Sequence, residues 1–423
     1  MKDRQYLCID LKSFYASVEC ADRGLDPMTT NLVVADPERS DKTICLAITP
    51  PMKKLGIHNR CRVFEIPDNV QYITAPPRMK RYIEYAAEIY AIYLSFVSKD
   101  DIHVYSIDEV FVDVTDYLFL YHTTAKELGK AMMEAVYKKL GIRATCGIGT
   151  NLYLAKIALD ITAKHAPDFI GELTEESYRK TLWRHTPITD FWRVGRGVAK
   201  RLEKMGIYTM EGIAKADEAS LYKIFGIDAE LLIDHAWGRE PTTMEDIKNY
   251  KPKTTCMASG QVLMRDYGFD EGKLIVKEMM DLMCLDMVDK KVMTKSVTLH
   301  VGYSNTEKVA PAHGSFLLDI PTSADVVLIP EIVALYERIV NPEIPIRRMN
   351  ITCNGLTDEC ETFTQLSLFE EPKDTEKNKK IQQAVLKIKN QFGKNAIFKG
   401  MNLTESATTL ERNRQIGGHK SGE

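Results

Sequence analysis

The chain has 423 residues, a net charge of −3, 44% hydrophobic and 27% charged residues. That length exceeds one compact core and points to roughly two to four domains. The near-neutral charge gives no overall attraction to nucleic acid, so a DNA-binding surface has to come from local basic patches. No run of about 18 apolar residues appears, so no membrane span is expected. MKDRQYLCID enters a strand at once, so no secretory leader is expected. The nine cysteines are scattered without a CxxC pair, which reads as reduced thiols in the cytoplasm.

In chain order, Tyr6–Asp10 is predicted as a buried strand. Ser13 is the predicted N-cap of the helix that follows, with Phe14, Tyr15 and Val18 on its inner side. Strands are expected at Leu32–Ala35, Ile44–Ile48 and Tyr72–Thr74, and a helix from Arg78 to about Val97. Residues 102–114 read as a hairpin bent at Ser106–Glu109. A helix over about Thr124–Leu140, a strand over Arg143–Gly149 and a helix from Asn151 follow. The order β-α-β-β-α-β, with an insertion after the first helix, predicts a split-βαβ, ferredoxin-like α+β unit.

Gly171 to Pro241 reads as all-helical, centred on FWRVGRGVAKRLEKMGI, where a Gly195-x-Gly197 turn opens a helix over Val198–Met205. Residues 250–357 read as α+β, with strands at Thr254–Leu263 and Ser296–Gly302 and helices near Glu271–Val288 and Ala324–Val340. From about Asp358 come QLSLF and a lysine-rich helix, Asp374–Phe392, which either touches DNA or packs on the body. Glu411–Glu423, polar and glycine-rich, is expected to be loosely ordered.

The chemistry concentrates in three acids on two segments about a hundred residues apart. Asp10 ends an apolar strand, where an unpaired charge is costly to bury. Asp108 and Glu109 are adjacent, and their repulsion calls for nearby cations. Three acids at strand ends suit two divalent metals and phosphoryl transfer. Phe14 reads equally as helix core. Tyr15 suits a ring lying under the sugar of a bound nucleotide, where it would exclude a 2′-hydroxyl.

IDLKSFYASVE, YSIDEVFVDV, GIGTNLYLAKIALDI, WRVGRGVAKRLEKMGI and QLSLF occur in this order over nearly the whole chain. Together they resemble a Y-family translesion DNA polymerase, UmuC/DinB-like, of the ultraviolet-repair branch of Gram-positive bacteria. The resemblance implies a multidomain α+β right hand. Its ferredoxin-like palm would span 1–20 and 77–170, and small fingers 21–76. A helix-hairpin-helix thumb would cover 171–245, an α+β little finger 250–357, and a tail 358–423.

The same resemblance makes Asp10, Asp108, Glu109 and the Leu11 carbonyl ligands of two Mg²⁺ ions. Tyr15 becomes the steric gate, and Ser106 and Ile107 shape the acidic bend. Phe14, Tyr15, Lys53 and Lys164 would meet the nucleotide, Lys164 one residue later than in DinB-type spacing. Where many relatives carry a Tyr and, three residues on, an Arg over the triphosphate, this chain has Pro50 and Lys53. Lys54, Arg60 and Arg62 are further candidates there.

Gly195, Gly197, Lys200 and Arg201 would bind a DNA phosphate without reading sequence, with Arg196 between the glycines adding charge. Little-finger contacts would fall on Lys253, Arg265, Lys295, Arg347 and Arg348. Gln365, Leu366, Leu368 and Phe369 match the bacterial sliding-clamp peptide, polar then apolar. The expected partners are primer-template DNA, dNTPs, the clamp and an accessory subunit of an SOS-type damage response. The expected activity is low-fidelity, template-directed synthesis past damaged bases, without membrane attachment. Two rival readings are a catalytically dead DNA- and clamp-binding protein and a nucleotidyl cyclase. The cyclase has no need of the helix-hairpin-helix or the clamp peptide.

Overall fold

The computed structural model describes residues 4–252, 255–359 and 375–422. They form two compact units, residues 1–250 with 420–423, and residues 251–419. In the first, the strands are β1 (Tyr6–Leu11), β2 (Leu32–Val34), β3 (Ala47–Ile48), β4 (Ile73–Ala75), β5 (Ile102–Val104), β6 (Glu109–Asp113), β7 (Ala144–Gly149) and β8 (Ile170–Leu173). One sheet has the order β5-β6-β1-β7-β8, and β3-β2-β4 make a small separate sheet. The predicted Ile44–Ile48 strand shrinks to β3, and Ile44 makes only an isolated bridge to Arg62.

β1 is the central strand, antiparallel to β6 and β7. It is covered on both faces, which is why its sequence is apolar up to Asp10 instead of alternating. With a period of two, Leu7 faces the Ala125–Leu140 helix, where Gly129 leaves room for it. Tyr6 and Cys8 face the other way and pack with Leu152, Ala155 and Leu159. That second face meets the Leu152–Ile157 helix at very close range. A Cβ on Gly147 would lie 2.1 Å from the Ala155 carbonyl oxygen, and one on Gly149 2.2 Å from the Ala155 nitrogen. Only glycine permits that approach.

Ser13 precedes the Phe14–Ala21 helix but does not cap it. Its backbone is left-handed (φ 50°), it makes no side-chain capping bond, and its Oγ is buried without a partner. Ser17 Oγ instead donates to the Lys12 carbonyl at 2.6 Å. Asn151 does act as predicted, accepting from the Leu154 N–H at 2.8 Å to start the next helix.

Helices from Glu175–Thr181 to Asp228–Trp237 share a core of Tyr178, Phe191, Leu202, Ile213 and Leu221. The buried His235 stacks on Tyr153 at 4.0 Å and pairs with Glu240 at 3.0 Å.

The second unit has a sheet path β11 (Ala312–Thr322), β10 (Val292–Tyr303), β12 (Ile346–Asn354), β9 (Cys256–Tyr267), and Thr357–Asp358 pairs the start of β10. The Phe269–Asp289 and Asp325–Ile339 helices bury Met279, Met280, Met283, Ile332 and Leu335 against the sheet. β11 was not anticipated.

The lysine-rich helix is observed at Thr375–Phe392 and packs on both of these helices. Asn378 donates to Asp325 at 2.7 Å and Gln382 to the Ser323 carbonyl at 3.3 Å. Among the described residues the expectation of loose order over Glu411–Glu423 is not met. A short helix, Thr409–Arg412, is followed by the paired strands Gln415–Ile416 and His419–Lys420. Lys420 makes ion pairs with Asp36 at 3.2 Å and with Glu38. No helix among the described residues is long and apolar enough to cross a membrane.

The buried Glu278 carboxylate gathers this tail. It accepts from Asn402 Nδ2 at 2.7 Å, the Thr408 N–H at 2.8 Å and the Thr409 N–H at 3.4 Å. Glu278→Ala leaves these donors buried and unpaired, so it is expected to cost about 3 kcal/mol. It should also speed amide exchange at Thr408 and Thr409 ahead of the rest of the unit. Unchanged exchange at those two amides refutes the anchoring role.

Candidate active site

The β1–β6 pairing sets Asp10 directly opposite Glu109. Just beyond the strand end, the Leu11 N–H donates to the Asp108 carbonyl at 3.0 Å. The bend is tightened by the Tyr105 and Ser106 N–H groups, which both donate to the Glu109 carbonyl (3.0 and 3.1 Å). Ser106 Oγ donates to Asp108 Oδ1 at 2.6 Å. The fold thus brings the three sequence-predicted acids to one end of neighbouring strands.

Their electrostatics are uneven. Burial, followed by the charges of Asp108 and Glu109, raises the Asp10 carboxyl to about 7. Glu109 is compensated. Its Oε2 accepts from Lys156 Nζ at 2.8 Å and its Oε1 from the Cys8 thiol at 3.2 Å. Burial and the Glu109 charge push that thiol well above its ordinary range. Among the described residues, no three acid, histidine or cysteine side chains converge closely enough to hold an ion as they stand. The donor set itself is all-oxygen and anionic, the chemistry of a hard divalent cation. Asp10, short of positive charge, is the carboxylate such an ion would relieve most.

Tyr15 stacks on Tyr82, with ring centroids 4.4 Å apart and planes 15° from parallel. Tyr82 is fully buried and donates its hydroxyl to Glu19 at 2.8 Å. Glu19 also accepts from Arg78 at 2.9 and 3.0 Å, and Arg78 and Arg81 both bind Asp22. The helix carrying Phe14 and Tyr15 is therefore tied to the Met79–Tyr93 helix by a network of buried and half-buried charges. Phe14 is core.

The basic residues lie around Asp10. Lys164 acts on the Asp10 charge, and Lys53 on that of Lys12, across this space. Lys53 stands at the C-terminal end of the Pro50–Lys54 helix. Lys12 Nζ sits 4.2 Å above the Phe169 ring. Burial, then repulsion by Lys53, lowers the Lys12 pKa. Lys164 pairs with Asp160 at 3.0 Å. The one-residue offset of Lys164 coincides with a π-helical turn at Ala158–Thr162, the form an inserted residue takes within a helix. Arg62 is committed to the Lys42 carbonyl, and Arg60 acts on Tyr15 through its charge.

Elsewhere in this unit, the helix predicted at Val198 begins at Arg196, with Gly195 as its N-cap and Gly197 in its first turn. No neighbour crowds a Cβ at either glycine. Lys200 is exposed, while Arg201 lies over the Phe225 ring and donates to the Ile224 carbonyl at 3.3 Å. In the second unit, Arg265 pairs with Glu271 at 2.6 Å and Arg347 with Asp266 at 3.4 Å. Gln365, Leu366, Leu368 and Phe369 lie outside the described residues.

Sequence reasoning missed Lys156, Asp160, Lys12, Cys8 and Tyr82. The i,i+4 spacing of Lys156, Asp160 and Lys164 was the available signal for a charged ladder.

An acid raised from 3.8 to about 7 destabilises the metal-free fold as pH climbs through that window, because the native state holds the proton that the unfolded chain releases. Asp10→Asn is therefore expected to be about 4 kcal/mol more stable than wild type at pH 8 in chelator. The two should converge near pH 4. Urea unfolding at both values checks this, and a pH-independent difference refutes it.

The sequence profile of the impB/mucB/samB family matches residues 9–160, and that of the impB/mucB/samB family C-terminal domain matches residues 257–368. The chain is 30% identical over 420 residues to a Bacillus subtilis protein named for UV-damage repair, UvrX, covering 99% of this chain and 98% of that one. It is 30% identical over 424 residues to DNA polymerase IV 2 of the same organism, covering 99% of each. With DNA polymerase IV 2 of Halalkalibacterium halodurans it shares 28% over 419 residues, again 99% of each. A solved Y-family DNA polymerase chimera superimposes with a TM-score of 0.66 at 18% identity, covering 84% of this chain and 99% of that one.

Proposed function

We propose, for a chain that belongs to the impB/mucB/samB family and is a DNA-directed DNA polymerase of the Y-family, that it extends primers past damaged template bases. The observation that carries this reading is the strand register that sets Asp10 opposite Glu109, with Asp108 bonded to Leu11 beside them. Residues 1–20 and 77–170 act as palm, 21–76 as fingers, 171–245 as thumb, 250–357 as little finger and 358–423 as tail.

Asp10, Asp108, Glu109 and the Leu11 carbonyl would hold two Mg²⁺ ions, Glu109 by turning away from Lys156. Bound there, the ions would supply Lewis acidity for attack of a primer 3′-hydroxyl on the α-phosphate of a dNTP. The chain's own residues do the rest. Lys53 and Lys164 place positive charge at the triphosphate, as point charges without the bidentate fork of an arginine. Tyr15, braced by Tyr82, closes the space under C2′ of the sugar.

The exposed first-turn N–H groups at Arg196 and Gly197, with Lys200, receive a DNA phosphate. Arg201 contributes mainly through packing, since its guanidinium is already engaged. QLSLF tethers the enzyme to the sliding clamp and raises its local concentration at primer ends. An accessory subunit, induction in an SOS-type response and action in the cytoplasm complete the proposal.

Primer extension with Mg²⁺ tests the core claim. Wild type should extend across an abasic site, while Asp108→Ala with Glu109→Ala should lose at least about a thousandfold in rate. DNA binding without synthesis by wild type, or cyclic nucleotide formation, refutes it. Two finer outcomes are expected. Tyr15→Ala should incorporate ribonucleotides while retaining dNTP incorporation. Lys53→Ala should raise the KM for dNTP, and an unchanged KM removes Lys53 from the site.

A further inference from the structure

Beneath the acids lies a cation that none of the proposed steps uses. Lys156 is buried, with Nζ 2.8 Å from Glu109 Oε2 and 3.1 Å from Asp160 Oδ2. The Tyr105 ring centroid is 5.9 Å away. A buried ammonium needs at least one carboxylate at all times, and here it has two. Both oxygens of Glu109 are engaged, Oε1 accepting from the Cys8 thiol. Asp160 is shared, since its Oδ1 binds Lys164 at 3.0 Å. The result is a ladder, Glu109–Lys156–Asp160–Lys164, running from the acid trio to a lysine proposed to meet the triphosphate.

We propose that Lys156 is a positioning residue, the resident cation of the metal-free trio. It keeps Glu109 in place until a divalent metal arrives, then passes to Asp160 and so releases Lys164 toward the nucleotide. The inference rests on the reading of Asp10, Asp108 and Glu109 as metal ligands. It accounts for the failure of the acids to converge as they stand. The handover needs no long movement, because both carboxylates already touch Lys156.

The test uses the full-length protein and two readouts independent of synthesis: melting temperature in chelator, and Mn²⁺ affinity from the paramagnetic signal of the free ion. Lys156→Met removes the competing cation. It should melt about 5 °C lower without metal, bind Mn²⁺ about fivefold more tightly, and regain most of its melting temperature at saturating Mn²⁺. Asp160→Asn removes the receiver. It should melt close to wild type yet bind Mn²⁺ about threefold more weakly.

A Lys156→Met protein whose deficit persists in Mn²⁺ and whose Mn²⁺ affinity is unchanged makes Lys156 a structural strut and overturns the proposal. If Lys156→Met does not fold, Asp160→Asn decides alone, and unchanged Mn²⁺ affinity overturns it. Failure of wild type to bind Mn²⁺, or binding indifferent to Asp10→Ala, removes the metal reading itself and this inference with it.

Discussion

The antiparallel register between β1 and β6 is the constraint on which the site depends. With side chains alternating at a period of two, a slip of one residue would send Asp10 to the opposite face, among Leu7 and the Ala125–Leu140 helix. Close packing prevents that slip, because each face of β1 is fitted to a different helix and the slip would bury Asp10 among apolar side chains. The acids are held by what surrounds them, which is how a strand can end on a carboxylate perturbed to about 7.

Charge in this unit is handled in two styles. On one side of the Phe14–Ala21 helix, Glu19, Asp22, Arg78 and Arg81 neutralise one another and fix the helix in place. At the acid cluster the balance is left open. Glu109 is matched, Asp10 is not, and Lys12, Lys53 and Lys164 are close enough to depress or oppose one another. Such residual imbalance of both signs characterises a place built to receive ions and phosphates. The fully matched network is the mark of a brace.

Much of this was legible in the chain. Asp10, Asp108 and Glu109 stood out because each interrupts an apolar strand, and Tyr15 because of its place one turn later. The helix at Asn151 and the order of the elements around β1 followed from capping and periodicity. Other features were not legible, for physical reasons. Lys156 looks like any helix lysine until the fold closes over it. β11 sets only Ala312, Phe316 and Leu318 against the core, each half-buried, and the exposed Leu317 blurs the alternation. Ser13 has the composition of a cap but takes a left-handed backbone that no local rule predicts. The tail after Thr404 is polar, and its order comes from Glu278, a buried acid more than a hundred residues upstream.

The glycines of β7 carry a consequence of their own. Gly147 is the Cα partner of Cys8, whose thiol touches Glu109, and it also abuts Ala155, the neighbour of Lys156. The two glycines therefore act as a spacer gauge between the strand that supplies the acid and the helix that supplies its counter-charge. A single methyl at either position would force that gap open. The helix would keep its fold while its ammonium lost reach. A change of one carbon, on a residue with no charge and no side chain, would weaken the pairing of Lys156 with Glu109.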